Sequence, residues 1–322
     1  MLKDKHLIDV YIAEEARHSY LVFVNGALCL DLSDLSALPE LKIKDSFIYV
    51  SPKAILAQPI QCLHFISGEQ GKIPCVNMRV HIVIGAEAQV ELTAKTVLME
   101  GNQCFFGTSC WEVEVEEGAK MTYIPIFLEE KESWHFDYFQ ATLKKDSYLK
   151  TLSCSEGGKN IRQSLHVTLA EENSEADLQG IWLLDGHRQS YTQVLIDHRA
   201  PHTRSMQCFK GVIKEFGQSS FEGKIIVQKE AQKTEAYQLN NNLLIGERAI
   251  AKSRPNLEIF ADDVKASHGS TIAQLDPAQM FYMQARGIDP AKAKRLLVAG
   301  FCQPVLDQIP IVSVRQAMEK KL

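Results

Sequence analysis

Short runs that alternate apolar and polar residues follow one another through the middle of the chain, from about residue 60 to about residue 264. In CWEVEVE (110–116), Trp111, Val113 and Val115 alternate with glutamates, and this period of two is typical of strands with one buried face. No strong helical run interrupts these strands, which argues against a doubly wound α/β fold. The pattern therefore predicts an all-β core.

Similar turn residues precede four of the predicted strands. They are Gly85-Ala86, Gly118-Ala119, Asp146-Ser147 and Asn173-Ser174, with successive spacings of 33, 28 and 27 positions. A recurrence on the order of 20 to 50 residues is typical of architectures that stack one supersecondary unit on the next. The recurrence favours a β-solenoid, and a β-sandwich remains the alternative from the pattern alone.

The segment before the β core, residues 1–59, has a different pattern. Residues 1–20 are compatible with a short helix, and LVFVNGALCLDL (21–32) predicts a hairpin. Asn25-Gly26 stands at the centre of that hairpin, and this dipeptide is a strong signal for a two-residue turn. We therefore expect a helical and hairpin segment at 1–59 and a β core at 60–273.

The segment 274–322 predicts helices. Asp276-Pro277 and Asp289-Pro290 each combine an N-cap residue with proline at the first helical position, and Gly287 suits a helix end. Pro304 is expected to end the second helix, and Ser313 to cap a third. The apolar face predicted for the second helix comprises Ala293, Leu296, Leu297, Gly300 and Phe301. Such faces need a cover, either the end of the β body or a partner protein.

Composition narrows the class of protein. The chain has 322 residues, 45% of them apolar and 23% charged, with a net charge of −5. We expect neither nucleic acid nor a membrane as a partner, because there is no basic excess and no apolar run of transmembrane length. No secretory signal is evident, and the eight cysteines form no C-x-x-C pair, so a cytoplasmic protein with reduced, mostly buried thiols is expected.

Several polar clusters invite a catalytic interpretation. Asp262-Asp263 would diverge on a strand, and His198 and His202 flank Pro201, which disfavours a helical metal pair. Asn240, Asn241 and Asn242 are expected to form a ladder or a turn of a solenoid coil. Neither a G-x-S-x-G elbow nor a P-loop is present, so nucleotide hydrolysis by this chain is not expected. His268, in VKASHGS (264–270), lies at the seam between the β core and the helical tail, with Gly269 beside it.

Long ordered strings between residues 190 and 302 resemble the shared core of the SufB/SufD family of iron–sulfur cluster assembly scaffolds. These strings are DHRAPHTRS (197–205), FKGVI (209–213), FEGKIIV (221–227), AQKTEAYQLNNNLLI (231–245), PNLEIFADDVKASHG (255–269) and QLDPAQMFYMQARGI (274–288). LVFVNG (21–26) also resembles the start of a SufD-type core. The SufB-like branch usually has a glutamate after the SHG histidine and a longer chain, so the resemblance favours the SufD branch.

The resemblance implies a right-handed parallel β-helix followed by a C-terminal helical domain at 274–322. It also implies a non-enzymatic scaffold that pairs with a SufB-like chain and docks a SufC-type ATPase through its helical domain. ATP-driven dimerisation of the ATPase would then open the interface where a transient iron–sulfur cluster forms, with no stably bound cofactor. The alternatives are a homodimeric scaffold and, from a different class, a β-helix enzyme acting on polysaccharides.

In that family the SHG histidine is proposed as an iron or cluster ligand, and it corresponds to His268. Imidazole is a plausible ligand for iron, and it holds a cluster less tightly than thiolate. Many SufD chains read KCSHG, whereas this chain reads KASHG, so Ala266 replaces a cysteine two positions before His268. A second ligand from this strand is therefore lost. The region before the match is also expected to be shorter than the helical domain with which SufD chains often begin, which leaves its role open.

Overall fold

The alternating runs form long strands that stack in a solenoid. The structure, a computed structural model, describes residues 6–69, 71–99, 103–128 and 132–322. The strands are β1 (Tyr20–Val24), β2 (Ala27–Leu28), β3 (Leu41–Lys44), β4 (Phe47–Val50), β5 (Ile60–Ile66), β6 (Cys75–Ile84), β7 (Gln89–Leu98), β8 (Phe106–Val115), β9 (Lys120–Phe127), β10 (Trp134–Leu143), β11 (Tyr148–Ser155), β12 (Asn160–Leu169), β13 (Glu175–Leu184), β14 (Gln189–His198), β15 (Arg204–Ile213), β16 (Gln218–Val227), β17 (Glu235–Leu244), β18 (Ile250–Ile259) and β19 (Lys265–Gln274). The helices are α1 (His6–Asp9), α2 (Pro277–Ala285), α3 (Pro290–Leu306) and α4 (Val312–Glu319).

From β5 onward, odd and even strands separate into two parallel sheets. Sheet A runs in the order β19-β17-β15-β13-β11-β9-β7-β5-β1-β2, and sheet B runs β18-β16-β14-β12-β10-β8-β6-β4-β3. Each coil therefore adds one strand to each sheet, and the apolar inward faces of both sheets share one core. In that core Tyr123 stacks on Phe139 with ring centroids 4.6 Å apart. The predicted β-helix is confirmed, and the sandwich alternative is excluded by the parallel order.

A column of left-handed turn residues explains the recurrence in the sequence. Gly118, Asp146 and Asn173 have φ values of 67°, 55° and 61°. The N–H of each donates to a carbonyl in the equivalent turn of the next coil, for example Asp146 N to the Glu172 oxygen at 3.1 Å. Glycine, asparagine and aspartate tolerate this conformation best, which is why they recur there. In the earliest of the four turns the left-handed residue is Glu87, two positions after the predicted Gly85.

The hairpin predicted at Asn25-Gly26 is present, and it belongs to the solenoid. Asn25 and Gly26 have φ values of 49° and 88°, and β1 pairs antiparallel with β2 across this two-residue turn. Strand β1 also pairs in parallel with β5, and β4 with β6. The segment 1–59, predicted as a helical and hairpin segment, thus supplies the first strands of both sheets.

Three details of the helical segment differ from the sequence predictions. The two Asp-Pro starts are confirmed, since Asp276 and Asp289 accept bonds from backbone N–H groups two residues on. Pro304, however, lies inside α3, which continues to Leu306, because a proline in the last turn removes only one backbone donor. Ser313 lies within the first turn of α4, whose N-cap position is Ile311.

Helices α3 and α4 cover the outer face of sheet A rather than the end of the β body. The buried face of α3 agrees with the predicted one at Ala293 and, in part, at Phe301, which packs against the same cluster. The fully buried residues of α3 are Ala293, Val298, Cys302, Val305 and Leu306. These side chains pack on outward apolar residues of β9 to β17, including Ile181 and Val212. Leu296, which was predicted to lie on the buried face, is exposed to solvent. By contrast, α2 has no buried residue.

Candidate functional site

The candidate site is the open end of the solenoid, formed by its last coil. Among the described residues, β19 pairs with β17 and β18 pairs with β16, and each has one neighbour in its sheet. Their other edges therefore present free backbone N–H and C=O groups, which are a template for pairing with another chain.

The inward face of this last coil is exposed, since no further coil covers it. Register pairs Ala266 with Ala236 and His268 with Gln238, and both partners on β17 are buried in the solenoid interior. His268 and Ala266 therefore share the inward face, as predicted from their spacing. His268 itself is exposed, and its imidazole stands at the mouth of the solenoid, where a group from a docked protein can reach it.

Apolar side chains surround this mouth. Ile272, on the same inward row as His268, is 47% exposed, and Phe260, in the loop before β19, is 61% exposed. Ile259, at the end of β18, is also exposed. An edge that is apolar as well as unpaired is an aggregation hazard when left bare. The arrangement therefore fits an interface with another protein better than it fits a solvent-facing surface.

The chain offers no thiolate near His268. Residues 235–274, which span β17 to β19, contain no cysteine, and Cys208 lies on β15 with its side chain on the outer, helix-covered face. Burial raises the pKa of Cys62, Cys154 and Cys302 to about 12, so these thiols stay protonated. Only these three cysteines are fully buried, fewer than predicted, and Cys75 is exposed. In the described ranges no group of three or more metal-ligating side chains is assembled.

The acidic pair belongs to a turn whose backbone is held by the preceding coil. Asp262 and Asp263 lie in the turn between β18 and β19 rather than on a strand, because β18 ends at Ile259. The backbone of Asp263 is engaged by the preceding coil, since its N–H donates to Gln232 Oε1 at 3.0 Å and its carbonyl accepts from Lys233. The turn thus closes the column of left-handed turns described above.

His198 and His202 do not share a site. His198 is buried at the end of β14, where Nδ1 lies 2.8 Å from Thr203 Oγ1 and Nε2 lies 2.9 Å from Ser205 Oγ. Burial lowers the pKa of His198 to about 3, so the ring stays neutral. His202 is an exposed left-handed turn residue with φ 59°. The motif DHRAPHT therefore has a structural role.

The asparagine run forms part of the solenoid interior. Asn240 and Asn242 point inward from β17 and are buried, and Asn242 Nδ2 donates to Asn240 Oδ1 at 2.8 Å. Asn240 Nδ2 also donates to the Phe209 carbonyl in the coil below at 3.2 Å. The run is thus a ladder within a strand, as one of the two alternatives predicted, and it is not a turn.

Sequence reasoning missed the bare face of α2. Phe281 is 72% exposed and Tyr282 is 59% exposed, and Tyr282 lines a shallow groove between α2 and α3 together with Ala278, Met283 and Leu297. The signal was present in the sequence as two adjacent aromatics within AQMFYMQAR, which cannot both face one side of a helix. Within the described ranges, no helix is long and apolar enough to cross a membrane.

The fold and the open end together define a parallel β-solenoid with an unpaired terminal coil and a helical appendage. Residues 64–301 match the model of the SufBD core domain of the SUF system for iron–sulfur cluster assembly. The chain belongs to the SufBD core family, which confirms the resemblance noted in the sequence.

Similar proteins support this assignment. The chain is 28% identical to an iron–sulfur cluster assembly SufBD family protein of Synechocystis sp., over 96% of this chain and 79% of the relative. It is 30% identical to protein ABCI7, chloroplastic, of Arabidopsis thaliana, over 91% of this chain. It is 27% identical to the iron–sulfur cluster assembly protein SufD of Escherichia coli, over 81% of this chain. The chain spans 62% of the length of each of the last two proteins.

Proposed function

We propose that this chain is a scaffold subunit that pairs through its open solenoid end with a SufB-like chain, binds a SufC-type ATPase through its helices, and contributes His268 to a transient iron–sulfur cluster. The observation that carries this proposal is the last coil, where two unpaired strand edges, exposed apolar side chains and His268 meet. Family membership supports an association with iron–sulfur clusters, and the unpaired edges of this coil support its use as an interface.

The solenoid end suits a second solenoid as its partner. A partner that presents its own terminal strands continues both sheets, so the free backbone groups of β18 and β19 gain hydrogen bonds. The same contact buries Ile259, Phe260 and Ile272. A cluster held there would lie between two chains, with His268 on one side. Because residues 235–274 contain no cysteine, the thiolate ligands would come from the partner.

The helical segment suits the ATPase. Helices α3 and α4 are fixed on sheet A, whereas α2 leaves Phe281 and Tyr282 bare. Aromatic side chains are enriched among the residues that carry most of the binding energy of a protein interface. Strand β19 ends at Gln274 and α2 begins at Pro277, so only Leu275 and Asp276 separate the ATPase-binding helix from the strand that carries His268. Movement of α2 on ATP binding would therefore act directly on the interface.

The proposed role is non-enzymatic. The cluster is cargo that forms and leaves, and imidazole together with an open interface favours release over permanent binding. The ATPase, rather than this chain, supplies the energy. We also propose a cytoplasmic location, as expected from the sequence.

Co-expression tests the proposed assembly. This chain, a SufB-like chain and a SufC-type ATPase from the same genome are produced together, and the mass of the purified complex is measured. The proposal expects a stable complex that contains all three chains. A chain that purifies alone as a homodimer in the presence of both partners would favour the homodimeric alternative and contradict the proposal.

A further inference from the structure

The residue beneath His268 has an unsatisfied polar group that points to a second role at the site. Gln238 is paired with His268 in the parallel ladder of β17 and β19, and both side chains are on the inward face. Such paired residues lie about 4.8 Å apart between strands. Gln238 is only 3% exposed, and its Oε1 is buried without a hydrogen-bond partner among the described residues.

The orientation of the Gln238 amide is fixed from below. Its Nε2 donates to Oε1 of Gln207, one coil further down, at 2.7 Å. The amide of Gln238 fits only because residue 223, on the facing strand β16, is glycine. A Cβ at Gly223 would lie 1.9 Å from Gln238 Nε2. The Nε2 of Gln238 is therefore used in the bond to Gln207, and the Oε1 of Gln238 accepts no hydrogen bond from any described residue.

A buried acceptor without a partner destabilises the folded state, so a donor within reach is strongly favoured. The polar side chain paired with Gln238 on the next coil is the imidazole of His268, whose neutral form carries one N–H and one acceptor nitrogen. Histidines that bind metals usually donate their second ring nitrogen to such an acceptor, which fixes both tautomer and ring orientation.

We infer that Gln238 is a positioning residue for His268, a role that rests on the proposed function of that histidine. Its Oε1 accepts a hydrogen bond from one ring N–H of His268, so that the other ring nitrogen faces the open end as a ligand. This support matters more in this chain than in one with a cysteine at the position of Ala266, because His268 is the only ligand that β19 offers.

The tautomer of His268 tests this contact without any cluster. Full-length chain labelled with ¹⁵N-histidine is studied by NMR at pH 8, and His268→Ala assigns the signals. We expect one dominant tautomer in the wild type, and a mixture like that of exposed His202 in Gln238→Met. Gly223→Ala, which displaces the amide, should act like Gln238→Met. Gln207→Met removes the bond that orients the amide, so it should shift the tautomer in the same direction. Gln163→Met is the matched control, because Gln163 is another buried glutamine of the solenoid interior and lies on β12, away from β17. An unchanged tautomer in Gln238→Met and Gly223→Ala would overturn the inference.

The amount of cluster that the complex retains distinguishes a failure of this inference from a failure of the proposed function. Gln238→Met should reduce the apparent affinity for the cluster about tenfold or more, as losses of such supporting partners do at metal sites. If His268→Ala lowers cluster content but Gln238→Met does not, the positioning role is wrong while the proposed function stands. If His268→Ala itself has no effect, the ligand role in the proposed function fails, and the NMR result alone decides whether Gln238 orients His268.

Discussion

The carboxylate of Glu15 accepts two hydrogen bonds from Ser313, a residue 298 positions away in the sequence. The backbone N–H of Ser313 lies 3.1 Å from Oε1, and its hydroxyl lies 2.7 Å from Oε2. Ser313 is in the first turn of α4, where backbone N–H groups have no partner within the helix. The N-terminal segment therefore caps the last helix of the chain and anchors the far end of the helical segment on sheet A.

Breaking this contact should loosen α4. Glu15→Ala is expected to lower the free energy of unfolding by about 1 kcal/mol, the usual value of a helix-capping side chain. Urea denaturation of Glu15→Ala, Ser313→Ala and the double variant measures the coupling between them. The double variant should lose clearly less than the sum of the single losses. Strictly additive losses would show that the two side chains do not interact.

His198 should make the stability of the protein fall in mild acid. Burial lowers the folded-state pKa to about 3, while the unfolded value is near 6.5, so between these values only the unfolded chain binds the proton. The contribution of neutral, buried His198 to the free energy of unfolding is fully present above pH 6.5, and it is lost as the pH falls towards 3. Between pH 7 and pH 5 the loss is about 2 kcal/mol.

Replacement of this histidine provides the control. His198→Gln, which does not titrate, should lose about 2 kcal/mol less than the wild type when urea denaturation at pH 5 is compared with pH 7. Burial also lowers the pKa of His64, to about 4. His64 is present in both proteins, so its effect on the pH dependence of stability cancels in the comparison. Equal losses in both proteins would mean that His198 is protonated in the folded state.

The bare aromatics of α2 should be needed for ATPase binding and not for folding. Phe281→Ala with Tyr282→Ala is expected to weaken binding of a SufC-type ATPase by at least tenfold, as loss of aromatic anchors does. The unfolding free energy should change by no more than about 0.5 kcal/mol, because both residues are exposed. Ile55→Ala, another exposed apolar residue, is the control. Unchanged affinity, measured by calorimetry, would place the ATPase elsewhere.

A charged side chain on the inward face of the last coil should be tolerated in the isolated chain but should prevent pairing with a SufB-like chain. Ile272→Lys places an ammonium group on the inward row beside the mouth, so the isolated chain should remain folded while pairing with a SufB-like chain is lost. Ile250→Lys is the matched control, since Ile250 is on the same coil, is similarly exposed and faces outward from sheet B. Size-exclusion chromatography with the partner measures both. Normal pairing by Ile272→Lys would exclude this coil as the interface.

Local turn and cap signals were sufficient to predict much of the fold. Asn25-Gly26 and the two Asp-Pro starts act through backbone conformations that few residues adopt, so sequence alone identifies them. Gly118, Asp146 and Asn173 revealed the coil spacing for the same reason. Ser313 was misread because its role depends on a distant partner, Glu15, that no local pattern encodes. Pro304 was misread because a proline in the last turn of a helix removes only one backbone donor and need not end the helix.

The candidate site was predictable only in part. The spacing of Ala266 and His268 predicted their shared face, and the family resemblance suggested the ligand role that is proposed for His268. Nothing local distinguishes β18 and β19 from inner strands, because their exposure follows from the absence of a further coil. The pairing of Gln238 with His268 depends on register between strands 30 residues apart, which emerges only when the coils are stacked.

Loss of the imidazole tests the central claim most directly. His268→Ala is compared with the wild type and with His202→Ala, a second exposed histidine in a turn of the solenoid, after co-expression with a SufB-like chain and a SufC-type ATPase. Iron and sulfide content per complex is measured after anaerobic purification. We expect intact complexes in all three cases, with cluster content sharply reduced in His268→Ala alone. Wild-type cluster content in the His268→Ala complex would contradict the proposed ligand.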